Sequence, residues 1–256
     1  MEQMVSAMGV PPKFQVNQTI HITENRSGSG DDRESAEPLV YRQSMRYRMP
    51  GIFRADISSQ DMRHVYISIP GEALTVIDEG IVSQSENPFY SYGILFSYGR
   101  RAELTDRLKE LGIDVHVSSL GRLDKTICYV IGARYPDADV PQLWVDRENF
   151  MPVRLVPSAA DNDDETPAQE IRFSQWRRFN GIRYPGEIVF LEEGAVVQEI
   201  VVDSIDANPV FEPGIFDIQK LTSSLKDKGD EDKTDGDKDI SDEIQQEIDQ
   251  FKRIFE

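Results

Sequence analysis

Residues 171–218 constrain the fold more than any other stretch. They read IRFSQWRRFNGIRYPGEIVFLEEGAVVQEIVVDSIDANPVFEPGIFDI. Gln169 to Phe179, Ile182 to Leu191 and Ala195 to Ile205 are long strand-like runs. Asn180-Gly181 joins the first two, and Glu193-Gly194 joins the last two. Asn-Gly is the strongest short hairpin signal, because a type I′ turn needs positive φ at both central residues. Three long strands with short turns predict an antiparallel meander.

The rest of the chain reads the same way. Strands are expected at 14–22, 40–49, 52–57, 64–69, 74–77, 81–85, 114–119, 125–134, 142–146 and 151–156. Tyr41, Met45, Tyr47 and Met49 alternate with Arg42, Ser44, Arg46 and Arg48, so one face is apolar and the other wet. Turns are placed at Gly121, Pro136-Asp137 and Arg147-Glu148-Asn149. Helix signals are few. Residues 2–9 read as a helix stub ending at Gly9. Residues 100–111 place Leu104, Leu108 and Leu111 on one face. Between them, PFYSYGILFSY at 88–98 is aromatic-rich without strand alternation.

The predicted class is therefore α+β, mostly β. It is a large curved antiparallel sheet with a few helices covering its concave face. Residues 1–218 form this body. Residues 219–239 read as an acidic flexible linker, and 240–256 as an amphipathic helix with Ile244, Ile248, Phe251 and Phe255 on one face.

Charge excludes one class of partner. The net charge is −18, of which −6 falls in residues 226–256, so the body is acidic too. Such a surface repels a phosphate backbone, and no nucleic-acid partner is expected. The single cysteine, Cys128, lies in an apolar run and reads as a core residue. His21, His64 and His116 stand apart from one another and read as packed or solvated strand residues. Residues 230–242 fail as a calcium loop because Lys233 falls at a ligand position. No nucleophile–base pair, phosphate loop or metal-ligand spacing occurs, so no enzyme, catalytic residue, metal or cofactor is expected.

So few helices can cover a large apolar face only in part, which favours a hydrophobic cavity or groove between helices and sheet; the alternative is a sheet packed shut on these helices. Met45, Tyr47, Met49, Val65, Ile67, Phe89, Phe96, Leu104, Leu108 and Trp144 are the expected lining residues.

Four places then carry a resemblance. They are Tyr47 to Arg54 (YRMPGIFR), Val76 to Pro88 with its Gly80 and Asn87-Pro88, Leu143 to Leu155 (LWVDRENFMPVRL), and the closing segments Phe173 to Ile188 and Asp203 to Phe216. In order and spacing they resemble the LolA-type outer-membrane lipoprotein carriers and their lipoprotein-sorting relatives. The resemblance covers roughly residues 3–218. Met49 stands where those carriers have the arginine that gates the lid, and Glu79 is inserted in the hairpin, so that arginine's role is not carried over.

The resemblance implies an unclosed barrel with a helical lid and non-covalent binding of lipid or lipoprotein acyl chains. It also implies action as a monomer in the periplasm, after removal of an export signal, between an inner-membrane donor and an outer-membrane acceptor protein. The alternative is a non-catalytic periplasmic adaptor or sensor that binds a protein partner through the same fold or the C-terminal helix. No transmembrane run of about 18 apolar residues is present.

Overall fold

A computed structural model describes residues 1–23, 38–58, 63–78, 80–138, 140–158 and 169–231. The C-terminal helix expected at 240–256 lies outside the described residues. Helix α1 (Glu2–Met8) is followed by strands β1 (Lys13–Ile22), β2 (Leu39–Arg48), β3 (Ile52–Ser58), β4 (Arg63–Ile69), β5 (Glu72–Ile77) and β6 (Gly80–Ser83). A 3₁₀ turn (Pro88–Gly93), α2 (Ile94–Ser97) and α3 (Arg101–Glu110) come next. Then follow β7 (Ser118–Leu123), β8 (Thr126–Ile131), β9 (Gln142–Asp146), β10 (Pro152–Val156), β11 (Gln169–Ser174), β12 (Arg177–Phe179), β13 (Ile182–Tyr184), β14 (Glu187–Glu192) and β15 (Ala195–Asp206). Helix α4 (Ile218–Glu231) is the last element among the described residues.

Thirteen strands form one antiparallel sheet in the order β6-β5-β4-β3-β2-β1-β15-β14-β11-β10-β9-β8-β7. The two meanders join where β1 pairs with β15. The outermost strands, β6 and β7, are consecutive in sequence. The chain between them must therefore travel from one edge of the sheet to the other. It does so through the 3₁₀ turn, α2 and α3, whose apolar residues pack on one face, here called the inner face.

Register fixes the two faces. Phe14 pairs with Tyr47, Tyr47 with Phe53 and Phe53 with Ser68. One row over, Met45 pairs with Ala55 and Ala55 with Tyr66. In the other half Leu143, Leu155, Ile171 and Phe190 stand side by side. These residues are almost wholly buried and, Ser68 apart, belong to the main core with α1 (Met4, Met8), α2 and α3 (Leu104, Leu108). Side chains alternate along a strand, so the intervening residues point to the outer face.

The middle of that outer face is polar. Asn17, Ser44 and Ser204 are linked by hydrogen bonds, and Asp56 holds both Arg46 and Arg54. Two outer sectors are apolar instead. Val65, Ile67, Leu74 and Val76 lie under Ile218, Leu221 and Leu225 of α4. Cys128, Val130, Ala133 and Trp144 form the second, with Leu123, Val140 and Val153 beside them.

Several expectations need correction. Residues 219–231 are not a linker: they belong to α4, whose Leu221 and Leu225 have a sheet surface to cover. The runs 169–179 and 182–191 are each broken in two. Gln175 adopts φ 53, and Pro185 has no N–H to give the ladder. The Asn180-Gly181 turn (φ 46 and 95) therefore caps a separate β12–β13 hairpin. That hairpin is tied to β15 by Arg177 to the Val202 carbonyl (2.7 Å) and Asn180 to the Ile205 carbonyl (2.9 Å). The strand expected at 114–119 begins at Ser118, because the Asp114 carboxylate accepts from the His116 N–H (3.0 Å) and holds a turn. Gly121 lies within β7 rather than in a turn. The turn falls at Asp124 (φ 51), and Trp144 occupies the space that a Gly121 side chain would need.

Candidate functional site

The candidate site is a cleft of about 420 Å³ where α3 and the 3₁₀ turn meet the β3–β4 side of the inner face. Its apolar wall is Phe53, Tyr66, Tyr90, Ile94, Leu111 and Pro157. Its polar groups are Ser68, Ser85, Glu86, Asn87, Ser91, Arg107, Glu110 and Ser158. A smaller depression of about 290 Å³ continues from it towards Pro50, Pro70 and Tyr98, sharing Phe53, Ser68, Glu86, Ile94, Arg107 and Glu110.

Local sequence builds each wall. Asn87 caps the 3₁₀ turn: its side-chain oxygen accepts from the Phe89 N–H (2.9 Å), and Pro88 occupies the first position, where no amide is needed. The Asn87 N–H donates to the Tyr66 hydroxyl (3.3 Å), fixing the turn to β4. Tyr66 and Tyr90 stack at 4.3 Å with their planes 7° apart. Burial pushes the Tyr66 hydroxyl up to about 12, so it is a neutral donor and acceptor at any ordinary pH. On α3, Leu104 and Leu108 are held in the core, which swings Arg107 to the cleft mouth. Its side chain is 17% exposed, and its guanidinium donates to Glu86 and to Glu110 (2.7 Å). That pair of contacts ties α3 to the segment entering the 3₁₀ turn.

Behind the cleft the interior is filled by side chains. Phe14 stacks on Tyr47 at 4.4 Å, and Phe96 lies 4.3 Å from Tyr184. The Tyr47 and Tyr184 hydroxyls are 3.2 Å apart. Gln18 donates to Gln43 and to the Tyr92 hydroxyl (2.9 Å). A larger groove, about 650 Å³, lies on the outer face between Lys13, Arg48, Glu72 and the 210–219 segment. There Arg48 sits over the Phe216 ring (4.8 Å). Lys13 and Arg48 reach it from the outer face, and the cleft, which meets the inner face, is the better candidate. Among the described residues no cluster of His, Cys, Asp or Glu is placed to hold a metal ion.

The ten residues expected to line a cavity separate into three groups. Met45, Tyr47, Phe89, Phe96, Leu104 and Leu108 come together in the inner-face core. Met49 lies at its rim against Gly99. Val65, Ile67 and Trp144 are on the outer face, because Val65 pairs with Asp56, Ile67 with Arg54 and Trp144 with Arg154. None of the ten lines the cleft. The residues that do line it were missed, since most are polar and come from turns. Asn87-Pro88 was the one local signal for them.

Comparison with solved structures gives the same architecture. A LolA superfamily protein from Nitrosomonas europaea superposes with a TM-score of 0.54 at 12% identity, over 86% of this chain and 96% of that one. A putative outer membrane lipoprotein-sorting protein domain from Vibrio parahaemolyticus gives 0.55 at 6% identity, over 86% and 95%. A DUF1329 family protein from Desulfovibrio piger gives 0.52 at 12% identity, over 86% and 97%. No family model matches the sequence, and no curated protein matches it. The chain therefore has the LolA-like fold, an unclosed antiparallel barrel whose inner face is covered by helices. Identities this low establish the fold alone.

Proposed function

We propose that this protein is a periplasmic, non-enzymatic carrier of acyl chains, of lipids or of lipoproteins, that takes its cargo between α3 and the inner face. The observation that carries the reading is the cleft itself. It lies between α3, the 3₁₀ turn and the inner face of an unclosed sheet, and its 420 Å³ lies within the usual range for small-molecule sites. Burial of a chain there would contribute about 0.8 kcal/mol per CH₂. The filled interior then corresponds to the unloaded protein, with α3 held down by Arg107 on Glu86. Cargo would displace α3 outward and be released when it returns. Donor and acceptor proteins at the two membranes follow from the same reading.

The test is native mass spectrometry of the full chain purified from cells, then organic extraction. A single acylated adduct per chain is expected. A clean unloaded mass, together with no uptake of an added fluorescent fatty acyl probe, would overturn the carrier reading. One observation favours the adaptor alternative: among the described residues, the inner face behind the cleft is packed by Phe14, Tyr47, Phe96 and Tyr184. Under that reading deletion of 232–256 abolishes function and lipid never co-purifies, whereas a carrier survives the deletion.

A further inference from the structure

The polar groups of the cleft are of one kind within and another at the mouth. The Ser91 side chain lines the cleft, is 7% exposed, and its hydroxyl has no hydrogen-bond partner among the described residues. One strand towards the sheet edge, on β5 and beyond the residues that line the cleft, Thr75 pairs with Tyr66 on the same face. Its hydroxyl is likewise buried and without a partner among the described residues. An unmet buried hydroxyl is costly, and native proteins rarely keep one unless something else satisfies it. Ser68, the Tyr66 hydroxyl and Ser158 add uncharged donors and acceptors. At the mouth, Glu86 and Glu110 set two carboxylates against the one guanidinium of Arg107. Arg107 is thus already committed, and the rim is left with excess negative charge. An anionic head group would meet repulsion there, and the −18 charge of the chain adds to it at long range.

We infer that the cleft selects acyl chains whose head is an uncharged hydrogen-bonding group, a hydroxyl, ester or amide, and that Ser91 is the residue that reads it. The inference rests on the carrier reading and names its ligand class. Discrimination of this kind follows from geometry. A ligand oxygen that reaches Ser91 relieves an unpartnered donor, and a chain without one leaves it unpartnered. A carboxylate that reaches the same depth must pass two like charges and lose its water.

Calorimetric titration of the full chain at pH 8 with monolauroylglycerol and with laurate, both kept below their micelle concentrations, tests it. Monolauroylglycerol is expected to bind at least tenfold more tightly. Ser91→Ala should cut that ratio to under threefold by weakening the glyceride alone. Glu86→Gln with Glu110→Gln should strengthen laurate alone. Equal or tighter binding of laurate to the unaltered protein would overturn the selectivity while leaving the carrier reading intact. An undiminished ratio in Ser91→Ala would remove Ser91 from the assignment. Binding of neither probe would overturn the carrier reading and this inference with it.

Discussion

The hydroxyls of Tyr47 and Tyr184 meet at 3.2 Å in the interior, one from the second strand and the other from the small hairpin 137 residues later. Both side chains are wholly buried, and burial raises both phenols well above their ordinary range. The contact joins the N-terminal meander to the β12–β13 hairpin. Tyr47→Phe or Tyr184→Phe alone leaves the other hydroxyl buried without its partner and should cost about 1–2 kcal/mol. The double variant should cost less than the sum of the two. Urea unfolding of the three variants checks this, and strict additivity would mean the hydroxyls are not coupled.

His64 supplies a pH dependence. It is fully buried on the inner face near the Tyr90 hydroxyl (3.5 Å), and burial lowers it from 6.5 to about 3. The nearby Asp56 carboxylate opposes that shift without cancelling it. The unfolded chain therefore takes up a proton near pH 6.5 that the folded chain refuses until near pH 3. Stability from this group is intact above pH 6.5 and is lost as pH falls towards 3, at up to about 1.4 kcal/mol per pH unit. Denaturant midpoints between pH 7 and 4 should show this slope, and His64→Gln should flatten it.

Ile67 and Leu108 are both wholly buried, yet they face opposite sides of the sheet. Ile67→Glu should unseat α4 and destabilise the protein by about 3 kcal/mol or more, as a carboxylate is forced under Ile218 and Leu221. Acyl binding by whatever remains folded should be unchanged. Leu108→Glu should lift α3 and abolish acyl binding. Amide exchange read separately over α3 and α4 distinguishes the two. Simultaneous loss of protection in both helices from either variant would contradict the two-faced arrangement.

Gly51 adopts φ +67 and its N–H donates to the Ser97 carbonyl (2.8 Å), clamping the end of α2 onto the β2–β3 turn. A Cβ at this position would stand 2.5 Å from the Tyr98 hydroxyl oxygen. Gly51→Ala should lower stability by about 1–2 kcal/mol from backbone strain alone, with displacement of Tyr98 in addition. A thermal melt measures the loss, and Tyr98→Ala in the same background should recover the part due to the clash.

Alternation made most strands legible. Met45 and Tyr47 against Arg46 and Arg48 put an apolar row beside a charged one, and period two admits no other reading. The same rule failed on β4 and β5. His64 to Ser68 and Ala73 to Ile77 are buried on both faces, so alternation could not say which of Tyr66 and Ile67 points inward. Both-sided burial requires a second cover, and that cover is α4. Its Leu221 and Leu225 are too sparse among Lys, Ser and Asp to announce a helix without the surface they cover.

By itself, the sequence determined the antiparallel meanders, the Asn180-Gly181 turn, α3 with its buried Leu104 and Leu108, and a large sheet with helices on one face. These follow from local backbone preference and from periodicity, which act over a few residues. Only the tertiary structure decided which face each strand gives to the helices, that α4 covers the outer one, and that Ser91, Tyr66 and Arg107 share a cleft. Those relations depend on strand register and on the path of the chain from one sheet edge to the other. They are properties of pairings between distant residues, and no local pattern encodes them.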